Sequence, residues 1–403
     1  MSATLCERAA QYPVVTVTGP RQAGKTTLCR QTFAHRPYAN LERPDTREHA
    51  LTDPAGFLAQ FPSGAVLDEI QRVPSLLSWL QVDVDERPQP GRWILTGSHQ
   101  FGLMRGIGQS LAGRTALLQL WPLSLAELAA GGIAPGVGTT TVDDLLFNGG
   151  YPRIHADRLD AQVALADYFA TYVERDLRQL IELRQLDTFR RFVRLAAGRV
   201  GQLLNLSSLA ADAGVSAPTS QAWVTLLEAT GIVHRLPPWH ANLGKRLVKQ
   251  AKLYFCDTGL AAWLIGVREA GQMAAHPLRG ALFENLVVNE FAKHALNQGF
   301  APGLHFFRDR HGLEVDLLVD YGLPPGRTGL VEIKSGQTVQ REWLMAMNRV
   351  CTLLGPQVAR RMLVHGGGGQ GLRDGVELVG VGAGAPDFDP SATAAQAGRN
   401  IHD

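Results

Sequence analysis

The chain has 403 residues, enough for two or three domains with separate cores. Its 45% hydrophobic and 19% charged residues fit a soluble globular protein, and a net charge of +2 excludes strong whole-chain attraction to nucleic acid, so any such binding needs a local patch. No apolar run approaches 18 residues, no signal-peptide core opens the chain, and Cys6, Cys29, Cys256 and Cys351 form no C-x-x-C pair; the expectation is a cytoplasmic protein without membrane partner, zinc site or disulfide framework.

Residues 1–130 alternate strands and helices as an α/β domain does, with strands expected at Val14–Thr18, Tyr38–Leu41, Ala65–Leu67, Arg92–Leu95 and Thr115–Leu120. After the first strand comes Gly19-Pro20-Arg21-Gln22-Ala23-Gly24-Lys25-Thr26-Thr27, which fits G-x-x-x-x-G-K-[ST], and Thr26–Ala34 reads as a helix. That context makes it a nucleotide site. The glycines let successive backbone N–H groups point at a phosphate chain, and the helix N-terminus adds partial positive charge. Lys25 can reach the β- and γ-phosphates of ATP, and the Thr26 hydroxyl can ligate Mg²⁺.

The third strand ends in Asp68-Glu69. Asp68 is placed to hold the Mg²⁺ shell and Glu69 to act as general base on water; the plainer alternative is a solvated strand end. The fourth ends in Thr96-Gly97-Ser98-His99, where Ser98 is chosen to stand between the acids and the γ-phosphate, with Thr96 and His99 as alternatives. Arg114 is the arginine expected to meet phosphate, in cis or from a neighbouring subunit; a surface ion pair is the competing role. Action in trans requires contact between subunits, so a homo-oligomer goes with that role.

Gly131–Thr141 reads as a linker, and 142–200 as an amphipathic helical region with charged clusters such as Glu174-Arg175-Asp176. In 201–275, a helix from Ser207 to Ala213, a turn at Gly214-Val215-Ser216, a helix from Ala217 to Ala229 and a strand from Ile232 to Leu236 give helix-turn-helix spacing with a wing. Ser216, Thr219, Ser220 and Gln221 head the second helix, the end that reads bases in such modules. Lys245, Arg246, Lys249 and Lys252 form a basic run for DNA phosphates, or a solvated loop. Protein docking is the other use of this motif. His234, His240 and His365 read as structural.

Residues 276–382 read as a second α/β unit: a helix from Gly280 to Asn297, then strands Leu304–Arg308, Glu314–Val319 and Gly329–Ile333. Glu332 and Lys334 alternate on one strand face, Asp316 lies in the preceding strand, and Glu284 is on the helix. Asp316 and Glu332 can hold Mg²⁺ while Lys334 orients water at a phosphodiester; an ion pair on an exposed strand face is the alternative. Gly366–Gly369 reads as a flexible loop and 383–403 as a disordered tail.

The set GPRQAGKTT, VLDEIQ, ILTGS, SLAGR, FNGGYP (Phe147–Pro152), YVERDL (Tyr172–Leu177), DTGL (Asp257–Leu260), FEN (Phe283–Asn285) and VEIKSG (Val331–Gly336) resembles bacterial and archaeal AAA-type ATPases fused to a C-terminal domain of unknown function. The resemblance spans nearly the whole chain. It implies an additional-strand P-loop core, a helical lid, a winged helix and a nuclease-like C-terminal fold. Asp316 and Glu332-x-Lys334 look like the acidic and E-x-K positions of PD-(D/E)XK nucleases, although no proline precedes Asp316. The resulting expectation is an ATP- and Mg²⁺-dependent ATPase acting on nucleic acid, or a nucleotide-dependent protein-interaction switch with an inactive nuclease fold. A simple sequence-specific repressor would leave the phosphate site idle.

Overall fold

The structure, a computed structural model, describes residues 1–98, 101–135, 140–173, 186–239, 248–321 and 327–383. His99, the Glu174-Arg175-Asp176 cluster, His240, Lys245, Arg246 and nearly all of the 383–403 tail lie outside the described residues. Two compact units are present: Met1–Pro122 with 227–232 and 295–301, and Leu123–Leu226 with 233–294 and 302–403. Among the described residues no helix is long and apolar enough to cross a membrane.

The first unit is built on five strands: β1 (Val14–Gly19), β2 (Tyr38–Asn40), β3 (Ala65–Asp68), β4 (Trp93–Ser98) and β5 (Thr115–Gln119). They form one parallel sheet of order β2-β3-β4-β1-β5. All six residues of β1 are buried, as a parallel strand covered on both faces demands. Helix α1 (Lys25–Thr32) packs with Cys29 among Val15, Val17, Ile94 and Leu118; helix α2 (Leu76–Glu86) closes the other core with Leu76, Leu77 and Leu80 among Leu67, Trp93 and Leu95. β4 lies between the strand that carries the phosphate loop and the strand that carries Asp68, which is the additional-strand arrangement. The carboxyl ends of β1, β3 and β4 therefore meet at one edge, where ligands bind such sheets.

In the second unit, α3 (Leu186–Ala197), α4 (Leu206–Ala213) and all but the last three residues of α5 (Ala217–Ala229) precede an antiparallel hairpin of β6 (Val233–Leu236) and β7 (Lys252–Phe255). Trp223 stands edge-on to both Phe189 and Phe192, with ring centroids 5.1 Å apart in each case. The helix positions follow the sequence spacing, but the head of α5 differs in one side chain. Ser220 is fully buried with its hydroxyl unpartnered, so it cannot read a base edge as expected.

After α6 (Thr258–Leu264) and the long helix α7 (Arg279–Asn297) come β8 (Leu304–Arg308), β9 (Glu314–Asp320) and β10 (Thr328–Lys334), an antiparallel meander. Helix α8 (Met345–Leu354) then returns the chain to β11 (Val358–His365), parallel to β10, and β12 (Gly371–Arg373) and β13 (Val376–Gly380) complete a six-stranded sheet. Strands β11, β12 and β13 extend the sheet beyond the three strands that the sequence pattern predicts. The glycine run lies between strands as a loop does, with Gly368 and Gly369 exposed, but its start is packed: Gly366 is buried, its N–H donates to Lys334 O at 3.2 Å and Gly336 O at 3.0 Å, and a Cβ there would lie 2.4 Å from Ser335 O. The glycine serves close backbone approach.

Candidate functional site

The phosphate loop occupies the turn between β1 and α1. Gly19 has no room for a side chain, since a Cβ would lie 2.0 Å from Leu120 O; Gly24 takes φ +91° as it enters the helix. Lys25 is buried and its Nζ donates to Gly19 O at 3.1 Å and Pro20 O at 2.7 Å. Burial, with Arg21 adding to it, lowers its pKa to about 8 although Glu69 and Asp68 oppose the change. This ammonium is held by backbone carbonyls and faces no bonded carboxylate.

Asp68, at the end of β3, accepts from three hydroxyls: Thr26 at 2.9 Å, Tyr38 at 2.7 Å, and Thr96. Thr26 and Asp68 thus stand in direct contact at the strand end, two oxygen groups of the kind Mg²⁺ takes as ligands. Glu69 has φ +60°, its N–H donates to Thr96 Oγ1 at 3.2 Å, and Gln71 Nε2 donates to its carboxylate and, at 3.1 Å, to Ser98 Oγ. Burial raises the Glu69 pKa, against the pull of Lys25 and the Gln71 bond. Of the alternatives at the end of β4, Thr96 touches both acids' segment, whereas Ser98 reaches Glu69 only through Gln71. Tyr38 and Gln71 join the site in addition to the residues expected from the sequence. Gln71 was within reach, three residues after Asp68, but nothing local marks Tyr38.

Arg114 requires correction. It precedes β5 at the amino edge of the parallel sheet, about 17 Å along the strands from the phosphate loop, and forks onto Asp85 at 2.6 and 2.8 Å. It cannot serve the loop of its own chain.

The second unit brings all four predicted residues of the C-terminal group together. Lys334 Nζ donates to Glu332 Oε1 at 2.6 Å and Asp316 Oδ2 at 3.3 Å, and Ile333 N donates to the same Asp316 oxygen at 2.8 Å. Glu284 accepts from Lys252 Nζ at 2.8 Å and from the Tyr254 hydroxyl. Burial, then Asp316, pushes the pKa of Glu332 up to about 8 and raises that of Glu284. Lys252 is a second correction: placed with the exposed basic run, it is 2% exposed and paired also with Glu314 at 2.6 Å, so no phosphate reaches it. Burial opposes its charge, but Glu284, Asp316 and Glu314 outweigh that and raise its pKa. Among the described residues no three His, Cys, Asp or Glu side chains are grouped to hold a metal. What remains for a cation is the pair Asp316 and Glu332, with Glu332 Oε2 buried and unpartnered.

Two further motifs of the set hold backbone in place, whereas most of YVERDL lies outside the described residues. Asp257 of DTGL accepts from Gly150 N at 2.7 Å and Leu260 N at 2.8 Å. Asn285 of FEN accepts from Phe255 N at 2.8 Å and donates to Phe255 O at 2.7 Å, fixing α7 to β7.

Comparison with known proteins agrees with the first site. Residues 11–129 match an AAA domain family, 139–271 a domain of unknown function (DUF8612) and 279–382 another (DUF4143). The chain is 33% identical over 359 residues to the uncharacterized protein Rv2008c of Mycobacterium tuberculosis, across 88% of this chain and 77% of the relative; Mb2031c of Mycobacterium bovis matches equally. This chain belongs to the Rv2008c family. Its AAA-type domain therefore carries the phosphate loop, Asp68 and Glu69 described above. Similar solved structures include the Walker-type ATPase paby2304 of Pyrococcus abyssi (16% identity, TM-score 0.41, 65% of this chain and 94% of that one) and a RuvB of Thermotoga maritima (20%, 0.29, 59% and 85%).

Proposed function

We propose that this family member binds and hydrolyses ATP with Mg²⁺ at its AAA-type domain and uses nucleotide state to direct a nucleic-acid-handling second unit. The observation that supports it most is the convergence of Lys25, Thr26, Asp68 and Glu69 at one sheet edge. Backbone N–H groups of the Gly19–Thr27 loop, other than at Pro20, would wrap the phosphates, and Lys25 would supply positive charge to them. Thr26 and Asp68 would hold the metal, which neutralises phosphate charge when bound. Glu69, steered by Gln71 and with burial making it a stronger base, orients water and takes its proton. Ser98 fixes Gln71, and Thr96 fixes Asp68. Loss of ATP turnover in both Lys25→Ala and Glu69→Gln is expected; unchanged turnover in both overturns these roles.

Arg114, excluded from its own loop, is assigned to the nucleotide of a neighbouring subunit. In a homo-oligomer, Arg114→Ala should cut turnover by about 10³-fold or more, and mixing it with Lys25→Ala chains should restore activity. Failure of such mixtures returns Arg114 to a surface ion pair.

For the second unit, the order α7–β8–β9–β10–α8–β11, with Glu284 on the helix, Asp316 on the middle strand and Glu332-x-Lys334 on the next, supports a PD-(D/E)XK-like body. The helix-turn-helix and hairpin before it support a winged-helix DNA module. Cleavage of a DNA panel with Mg²⁺ or Mn²⁺, lost in Asp316→Ala and Lys334→Ala, is the test. One observation favours a second reading. The acids are already paired with ammonium groups, as an inactive fold used for protein docking would have them. Intact substrates throughout, with a protein partner retained only in ATP, select that reading.

A further inference from the structure

The acid cluster contains a cation that neither strand β10 nor helix α7 supplies. Lys252 comes from the β6–β7 hairpin, ahead of the α7–β11 body, and bridges two carboxylates, Glu284 Oε1 at 2.8 Å and Glu314 Oε1 at 2.6 Å. Its position is built. Asn285 holds both the N–H and the C=O of Phe255, Asn289 Nδ2 donates to the same carbonyl at 2.8 Å, and Tyr254 bonds the carboxylate that Lys252 holds. A buried ammonium is tolerated only when paired, and this one is paired twice. Glu314 is further engaged by Arg308 at 3.1 Å. Glu284 and Glu314 are thereby drawn to Lys252, whereas Glu332 Oε2 has no partner.

We propose that Lys252 is the internal counter-cation of the acid cluster and limits how tightly that cluster holds a divalent metal ion. It does so by occupying Glu284 and Glu314 and by placing a positive charge beside Asp316. The hairpin thus sets the metal affinity of a site to which it contributes no carboxylate. The proposal rests on reading Asp316 and Glu332 as metal ligands.

The test titrates Mn²⁺ into the nucleotide-free full chain and follows free Mn²⁺ by electron paramagnetic resonance, with the melting temperature as a second readout. Lys252→Met should bind Mn²⁺ at least about tenfold more tightly than the parent, because a unit charge beside a divalent ion costs more than that at protein-like dielectric. Lys252→Arg should match the parent, and Glu284→Gln added to Lys252→Met should remove most of the gain. Where Lys252→Met does not fold, Lys252→Met with Glu314→Gln should show the same gain over Glu314→Gln alone. Equal or weaker Mn²⁺ binding by the folded Lys252 variants, with the parent still binding, overturns the role of Lys252 and leaves the metal site standing. No Mn²⁺ bound by any of them overturns the metal site itself.

Discussion

The two lysine-bearing sites are opposites. In the first unit Lys25 bonds only to backbone carbonyls and burial pulls its pKa down to about 8, while Asp68 is surrounded by hydroxyls. In the second, Lys334 is bonded to Asp316 and Glu332; burial opposes its charge, but those two carboxylates prevail and raise its pKa. In the first site the Lys25 ammonium bonds to carbonyls, with Glu69 and Asp68 near but not bonded to it, so a polyphosphate can bind there without breaking an ammonium–carboxylate bond. The second has neutralised itself, and a ligand there must compete with a bond already made. The same residue types therefore carry different chemistry because of what each lysine touches.

Glu69→Gln gives the sharpest break of this contrast. It should lower ATP turnover by about 10²- to 10⁴-fold, the usual worth of a general base, with nucleotide affinity little changed, and Glu332→Gln should leave ATP turnover alone. Parallel losses in both would show that the sites are not separate in chemistry.

Next in size is proton linkage at Lys25. The free protein loses the Lys25 proton above about pH 8, and phosphate favours the charged form, so binding must take up a proton there. ATP affinity should fall by up to about tenfold per pH unit above that point, and Lys25→Arg should flatten the slope. Calorimetry in buffers of different ionisation enthalpy reads the uptake directly. Lys252 and Lys334, with raised values, should contribute nothing in this window.

Glu332 tests the other half. Its folded pKa, pushed up to about 8 by burial and Asp316, exceeds that of an unfolded glutamate. It stabilises the fold fully below the unfolded value, and that contribution is lost as pH rises through about 8. Urea midpoints should decline across that range, and the decline should shrink in Glu332→Gln. The smallest effect is at the crossing behind β10, where Gly366→Val should cost about 1–3 kcal/mol through forced overpacking, read as a lowered melting temperature with ATP turnover retained.

How much of this was legible in the sequence differs between the units. The phosphate loop, Asp68 and Glu69 were readable because a turn, a helix start and two strand ends are local events. Strands β1 to β5 and the four acid-cluster residues likewise fell where their patterns placed them. What escaped depended on partners distant in the chain. Tyr38 reaches Asp68 across the sheet, Lys252 finds Glu284 through tertiary packing, and Arg114 lies at the far edge of a sheet whose order no local pattern reveals. The packing around Gly366 and Ser220 escaped for a related reason: composition marks a glycine or a helix-head serine but not what packs against it.

The central claim is that the loop around Lys25 holds a nucleoside triphosphate with magnesium. Calorimetric titration of the nucleotide-free chain with ATP and Mg²⁺ tests it most directly. One site per chain is predicted, lost in Lys25→Ala and kept in Glu69→Gln. The absence of binding heat in the parent, or equal binding by Lys25→Ala, would contradict it.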